Sequence, residues 1–210
     1  MDVHSAHHAP RTWSEFFLQL VTITIGLFIA LTLQAGVESL HHRHLVSEAR
    51  GNLRREMQIN RNSFAENARN LEKNRRQLAH DIDALRDLRN GKPIDKNALL
   101  WGWDWNGFVD VSWKTARDTG AVSYMSFDLI NAYADLYSQQ DYVNAQALII
   151  LDEEPKSAAF LQIAKDPSAL SPSDIQSMLI SLAESDIKLA TLQNLMKPLD
   201  EMYAKDMKTL

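Results

Sequence analysis

Between Phe16 and Val37 lie 22 residues, FFLQLVTITIGLFIALTLQAGV, without a single charge. Arg11 and Glu15 stand before the run, and Glu38 and His41-His42-Arg43-His44 follow it. As a helix the run rises roughly 33 Å, against a bilayer hydrocarbon core of about 30 Å. Three structures accommodate such a segment: a transmembrane anchor, a cleaved signal, or a buried core helix. A signal has a shorter apolar core, and Gln34-Ala35-Gly36 is a poor cut site with Leu33 at its −3 position. A core helix seldom exceeds about 18 uncharged residues. The polar members do not oppose insertion. Thr22, Thr24 and Thr32 can bond back to their own helix, and Gln19 sits near one end. Trp13, Phe16 and Phe17 suit an aromatic belt at the first interface. The chain therefore divides into a tail (1–15), a transmembrane helix (16–37) that meets the lipid bilayer, and an extramembrane body (38–210).

The body is long enough for one domain with a real core. A formal net charge of −5 and a pI near 5.8 exclude nucleic acid as the main partner, since that surface needs a basic stripe. The absence of cysteine excludes a disulfide framework, thiol catalysis and thiolate metal sites. Only 7 Gly and 6 Pro interrupt the chain, which points to an all-α fold. The expected architecture is an anchor continuing into a long amphipathic helix, packed with shorter helices as an irregular bundle.

From Glu38 to Arg89 there is no Pro and one Gly, Gly51. Met57, Phe64, Leu71, Leu78 and Leu85 recur every seven residues, one seam of a heptad. The companion seam reads Leu53, Asn60, Asn67, Asn74 and Asp81. Three successive Asn would weaken a dimeric coiled coil. The simpler reading sets the Asn row half exposed at the edge of a narrow stripe that Ala68 and Ile82 widen on the other flank. The alternative is a polar channel or a hydrogen-bonded ladder between packed helices. Arg54, Arg55, Arg61, Arg69, Arg75 and Arg76 read as a solvated face.

Asn90-Gly91-Lys92-Pro93 stops this helix. Four of the five Trp then fall within thirteen residues, at 101, 103, 105 and 113, with Phe108 among them. Trp101, Trp103 and Trp105 share a face only if the backbone is extended, in two short strands or an irregular loop. The cluster is either a core plug or a functional surface: a partner patch, a membrane-surface contact, or an aromatic ligand pocket with Asp104 as its natural polar contact. The candidate binding residues are thus Trp101, Trp103, Asp104, Trp105, Phe108 and Trp113.

A short capped helix over 112–120 follows. Ser126 caps another, with Phe127, Ile130, Tyr133, Ala134, Tyr137 and Val143 on one face, which Pro155 breaks. Lys156–Lys165 adds a turn or two. Ser171-Pro172-Ser173-Asp174 then opens a last helix carrying Ile175, Met178, Leu179, Leu182, Ile187, Leu189 and Leu192 up to Pro198, with a further turn or two beyond it.

Catalytic motifs are missing: there is no nucleophile elbow, phosphate loop, dinucleotide fingerprint or HExxH run. Asp81/Asp83 and Asp152-Glu153-Glu154 read as solvated carboxylates. His4, His7 and His8, and His41, His42 and His44, lack a clear third or fourth ligand, so no metal and no cofactor is expected.

Phe16–Ala30, then Val37–Arg50, then Leu53-Arg54-Arg55-Glu56-Met57 and Asn60, resemble uncharacterised bacterial single-pass membrane proteins. In those a VGxxIAL-like anchor leads into a charged helix with an xxLxxEIxxN pattern. Ser112-Trp113-Lys114-Thr115-Ala116 with Thr119-Gly120-Ala121 is similar to their central W/Y-x-x-A/L-x-x-[ST]-G element. The resemblance implies a bacterial inner-membrane topology and brings no activity. One Arg precedes the anchor and Arg43, Arg50, Arg54 and Arg55 follow it, so the positive-inside rule puts the body in the cytoplasm. The expected function is a non-catalytic interaction scaffold or accessory subunit that engages a protein partner, or a second copy through its long helix. The alternative is a ligand sensor signalling through a partner.

Overall fold

The computed structural model describes residues 12–95, 98–99 and 102–209, with side chains from 153–158 and 206–209 left undescribed. Trp101, His4, His7 and His8, and the carboxylates of Glu153 and Glu154, thus lie outside the described residues. Every described element is helical, as an all-α fold requires. In chain order these are α1 (Trp13–Arg89), α2 (Val111–Asp118), a 3-10 turn (Ala121–Tyr124), α3 (Phe127–Ala164), a second 3-10 turn (Pro167–Ala169) and α4 (Pro172–Thr209). Two compact units divide the chain, Met1–Glu48 and Ala49–Leu210, and α1 contributes to both.

In the first unit α1 is long and apolar enough to cross a membrane, and none of its apolar window is buried by the protein. Its hydroxyls are satisfied locally. Thr22, Thr24 and Thr32 donate to the carbonyls of Leu18, Leu20 and Phe28 at 2.9, 2.7 and 3.0 Å. Trp13, Phe16 and Phe17 pack ring against ring with centroids 5.8–6.3 Å apart.

In the second unit three helices share one core. α1 runs alongside α3 and against α4: Glu56 reaches Tyr137 and Asn60 reaches Gln140, while Phe64 meets Tyr203 and Arg75 meets Asp186. Met57, Leu71, Leu78 and Leu85 are buried, as the heptad seam predicts, and Phe64 is half-buried. The Asn seam departs from its simpler reading. Leu53, Asn60, Asn67 and Asp81 are buried too and only Asn74 is half-buried, whereas on the other flank Ala68 is exposed and Ile82 half-buried, so the inward stripe widens on the Asn flank. Asn60, Asn67 and Asp81 go inside because each finds partners there. Asp81, expected in solvent, is buried and accepts from Gln77 Nε2 at 2.7 Å. Arg75 also leaves the solvated face, donating to Asp186 at 3.2 Å and Gln193 at 2.8 Å on α4.

Helix ends follow local chemistry with four exceptions. α1 stops at Arg89, and Gly91 takes φ +76, a left-handed value open to glycine. α4 opens with a capping box: Ser171 Oγ accepts from Asp174 N–H at 3.2 Å, and Asp174 Oδ2 accepts from Ser171 N–H at 3.1 Å. The first exception is α2, which starts at Val111 rather than being capped by Ser112; the Ser112 N–H is satisfied from a distance, by Glu56 Oε2 at 2.7 Å. At α3, Ser126 holds the N-cap position without a side-chain hydrogen bond. That helix continues past position 155 to Ala164, so Pro155 does not break it; Lys165 closes it at φ +59. α4 likewise runs through Pro198 to Thr209, carried by buried Met196, Leu199 and Tyr203 on either side of an exposed proline. Pro198 has no N–H to donate to the Asn194 carbonyl four residues back. One residue on, the Leu195 carbonyl accepts from Gln139 Nε2 of α3 at 2.7 Å, which ties α4 to α3 beside the proline. Phe127 and Ile187, expected on buried faces, are exposed, while Tyr133, Tyr137, Val143, Ile175, Met178, Leu182, Leu189 and Leu192 are buried.

Candidate functional site

Residues 102–110 form no helix and no strand, yet their backbone is held along its length by side-chain amides. A primary amide presents one donor and one acceptor side by side, so it can pair with both the N–H and the C=O of a single residue. Asn67 does this to Asn106: its Nδ2 donates to the Asn106 carbonyl at 2.8 Å and its Oδ1 accepts from the Asn106 N–H at 2.9 Å. Asn60 treats Val109 in the same way, at 2.7 and 2.9 Å. From α3, Asn144 accepts from the Phe108 N–H at 3.2 Å and donates to its carbonyl at 3.4 Å.

The register has a geometric cause. Seven residues of helix rise about 10.5 Å. Three residues of extended chain cover about 9–10 Å. A heptad-spaced pair on α1 therefore meets every third residue of an antiparallel extended segment. Phe108, between them, turns to α3. The Asn row is a hydrogen-bonded ladder, but its other rail is this extended segment rather than a neighbouring helix. Asn60 also donates to Gln140 Oε1 at 3.1 Å, and Gln140 donates to the Tyr203 hydroxyl at 3.0 Å, which ties the ladder to α3 and α4. Asn74, next in the row, keeps a buried Nδ2 that has no hydrogen-bond partner among the described residues.

The aromatic candidates divide around this segment. Trp103 is buried and donates from Nε1 to the Ala147 carbonyl at 3.1 Å. Trp105 stacks on it at 5.8 Å with 14° between the rings, so the two do share a face, and its Nε1 reaches Asn144 Oδ1 at 3.1 Å. Phe108 is buried edge-on to Trp105, at 5.7 Å. Asp104 faces solvent. Trp113, on α2, is buried apart from these and lies flat on Tyr137, at 5.5 Å and 3°. The described members of the cluster thus fill the groove between α1 and α3, and Asp104 does not join a pocket with them.

Sequence reasoning passed over Glu56. It is buried on α1 and accepts from the Tyr137 hydroxyl at 2.6 Å and from the Ser112 N–H at 2.7 Å. Burial first, and then the Glu56 carboxylate, push the Tyr137 phenol well above its ordinary range. Burial raises Tyr203 as well. One sign was available: Glu56 is four residues before Asn60, one turn away on the face that carries the row.

A cleft of about 480 Å³ opens between α2, the first 3-10 turn and α3. Trp113 and Tyr137 form its floor, Val122, Ile130 and Ala134 an apolar wall, and Asp110, Lys114, Arg117 and Asp141 its charged rim, with Ser138. Lys114 Nζ is 2.7 Å from Asp110 Oδ2, and this contact above all raises the Lys114 ammonium's pKa; Asp141 adds to the shift and Arg117 opposes it. This cleft shares only Trp113 with the residues expected to bind. It was not legible in the sequence because Ile130, Ala134 and Asp141 come from α3. No group of three or more His, Cys, Asp or Glu suited to a metal occurs among the described residues.

No family model, no curated protein and no solved structure matches this chain.

Proposed function

We propose that the chain is a membrane-anchored helical interaction module, a scaffold or accessory subunit that works by binding a protein partner and not by catalysis. The observation that carries this reading is the pairing of an exposed, charge-free helical stretch with a body whose buried Asn60, Asn67 and Glu56 are spent on its own architecture. With Trp103, Phe108 and Trp113 buried, the partner surface shifts to exposed apolar residues of α3, where Tyr142, Ile149 and Leu151 stand in solvent. A photo-crosslinker at Tyr142 or Ile149, activated in native membranes, should capture a specific protein; capture of none from either position refutes the reading. The anchor makes a single pass through a bacterial inner membrane, and the positive-inside rule puts the body in the cytoplasm. Ala169 is exposed in the turn before α4. A169C, in a chain with no other cysteine, should react with an impermeant maleimide only after lysis. Labelling once the outer membrane alone is opened would reverse the orientation.

A second reading is favoured by the cleft over Trp113: a small-ligand sensor that signals through the same partner. Its mixed lining of aromatic floor, apolar wall and a few charges is the composition of small-molecule sites. Bound ligand should then change the α3 crosslinks, and an unchanged pattern would remove this reading.

A further inference from the structure

The charges around the cleft are unevenly used. Asp110 and Lys114 neutralise each other at 2.7 Å. The side chains of Arg117 and Asp141 line the same cleft and form neither an ion pair nor a hydrogen bond with any described residue, each other included. Among the described residues the rim therefore offers one guanidinium and one carboxylate without a contact partner, Asp141 acting on Lys114 only at longer range, above a floor of stacked rings and beside an apolar wall.

Each simple class of ligand meets an obstacle here. A phosphate or dicarboxylate would bring its second charge against Asp110 and Asp141, and a plain cation would meet Lys114 and Arg117. The four rim charges sum to zero, so an amphoteric guest suits them. Its carboxylate can take the planar fork of Arg117, and its ammonium can sit against Asp141. Val122, Ile130 and Ala134 leave an aliphatic side chain an apolar surface to cover.

We propose that this cleft binds a free α-amino acid with an aliphatic side chain, its carboxylate on Arg117 and its ammonium on Asp141. This site rests on the sensor reading for its purpose and on the cleft alone for its chemistry. The test uses the full chain in a maltoside detergent, which offers no competing charge, and three probes of one carbon skeleton. These are L-leucine, 4-methylpentanoate without the ammonium, and 3-methylbutylamine without the carboxylate, each followed by saturation-transfer NMR. L-Leucine should bind saturably, and each half-probe should bind at least about tenfold more weakly, since each lacks one charge-assisted contact. R117Q and D141N, both at exposed positions, should each weaken L-leucine about tenfold with the helical circular dichroism unchanged. Three outcomes would overturn the proposal: no saturable L-leucine binding below about 10 mM, a half-probe that binds as well as L-leucine, or affinity unmoved in both variants. Binding that leaves the α3 crosslinks unchanged would keep the site and remove only the sensor.

Discussion

Asn67→Ala tests the ladder most directly. Asn67 is fully buried, and its side chain supplies both partners of Asn106, at 2.8 and 2.9 Å. Truncation strands one backbone N–H and one C=O. A buried polar group left without its partner costs about 1–3 kcal/mol. Asn106 is half-buried, so water reaches the pair in part and the lower end of that range applies to each group. Together with the lost contacts of the amide, the expected loss is about 2–4 kcal/mol. With a urea slope of about 2 kcal/mol/M, the unfolding midpoint falls by about 1–2 M. Tryptophan fluorescence is a suitable probe, because Trp103 and Trp105 belong to the segment that is released and stack on each other. Hydrogen exchange adds the local readout: the Asn106 amide should lose protection by more than the amides of α4. Asn67→Asp separates hydrogen bonding from packing. It keeps an acceptor for the Asn106 N–H but turns a second oxygen toward the carbonyl, so at neutral pH it should destabilise at least as much as alanine. Part of that loss should return as the pH falls toward about 4, the unfolded value, because burial raises the folded carboxyl above it and the protonated acid can donate again. A midpoint within about 0.3 M of wild type, with Asn106 exchange unchanged, would refute the claim that side-chain amides hold this segment.

Other outcomes follow from the same contacts. Glu56→Gln keeps one acceptor and faces an amide N–H toward either Tyr137 or Ser112, so it should cost about 1–3 kcal/mol in urea unfolding. A loss below about 0.5 kcal/mol would show that this carboxylate is dispensable. Tyr137 and Tyr203 have raised phenol pKa values in the fold, so their contribution to stability is intact below about pH 10, the unfolded value. Above it the unfolded chain releases protons that the folded chain keeps, and stability should fall by up to about 2.7 kcal/mol per pH unit for the two groups. Denaturation midpoints from pH 8 to 11, read with tyrosinate absorbance, check this slope. Gly120 sits at φ +74 with open space where a Cβ would stand, so Gly120→Ala carries conformational strain alone, about 1–2 kcal/mol, visible as a lowered Tm. No change in Tm would mean that the turn relaxes to a negative φ.

Much of this fold is written in local sequence. The uncharged run of 22 residues dictates an apolar helix whatever follows it, and the threonines within it satisfy themselves on their own backbone. Asn90-Gly91 and Ser171-Pro172-Ser173-Asp174 set helix ends through contacts within a few residues, so those boundaries were readable. The heptad seam of Met57, Leu71, Leu78 and Leu85 predicted its own burial.

What the sequence left open depends on partners distant along the chain. Whether Asn60 and Asn67 lie at an edge or inside turns on Val109 and Asn106, 49 and 39 residues away. Ser112 looked like a cap, but the atom that satisfies its N–H belongs to Glu56. Pro198 looked like a stop, but burial of Met196, Leu199 and Tyr203 carries the helix through it. Local propensity is worth about 3 kcal/mol at a proline and about 1 at a cap. Tertiary burial and hydrogen bonding exceed that at these positions. The sequence by itself determined the apolar helix, the all-helical body and most helix ends, because their causes act within one or two turns. Only the tertiary structure decided where the Asn row points, which aromatics are consumed in the core, and that Arg117 and Asp141 line one cleft, because each requires α1, α2 and α3 to be brought together first.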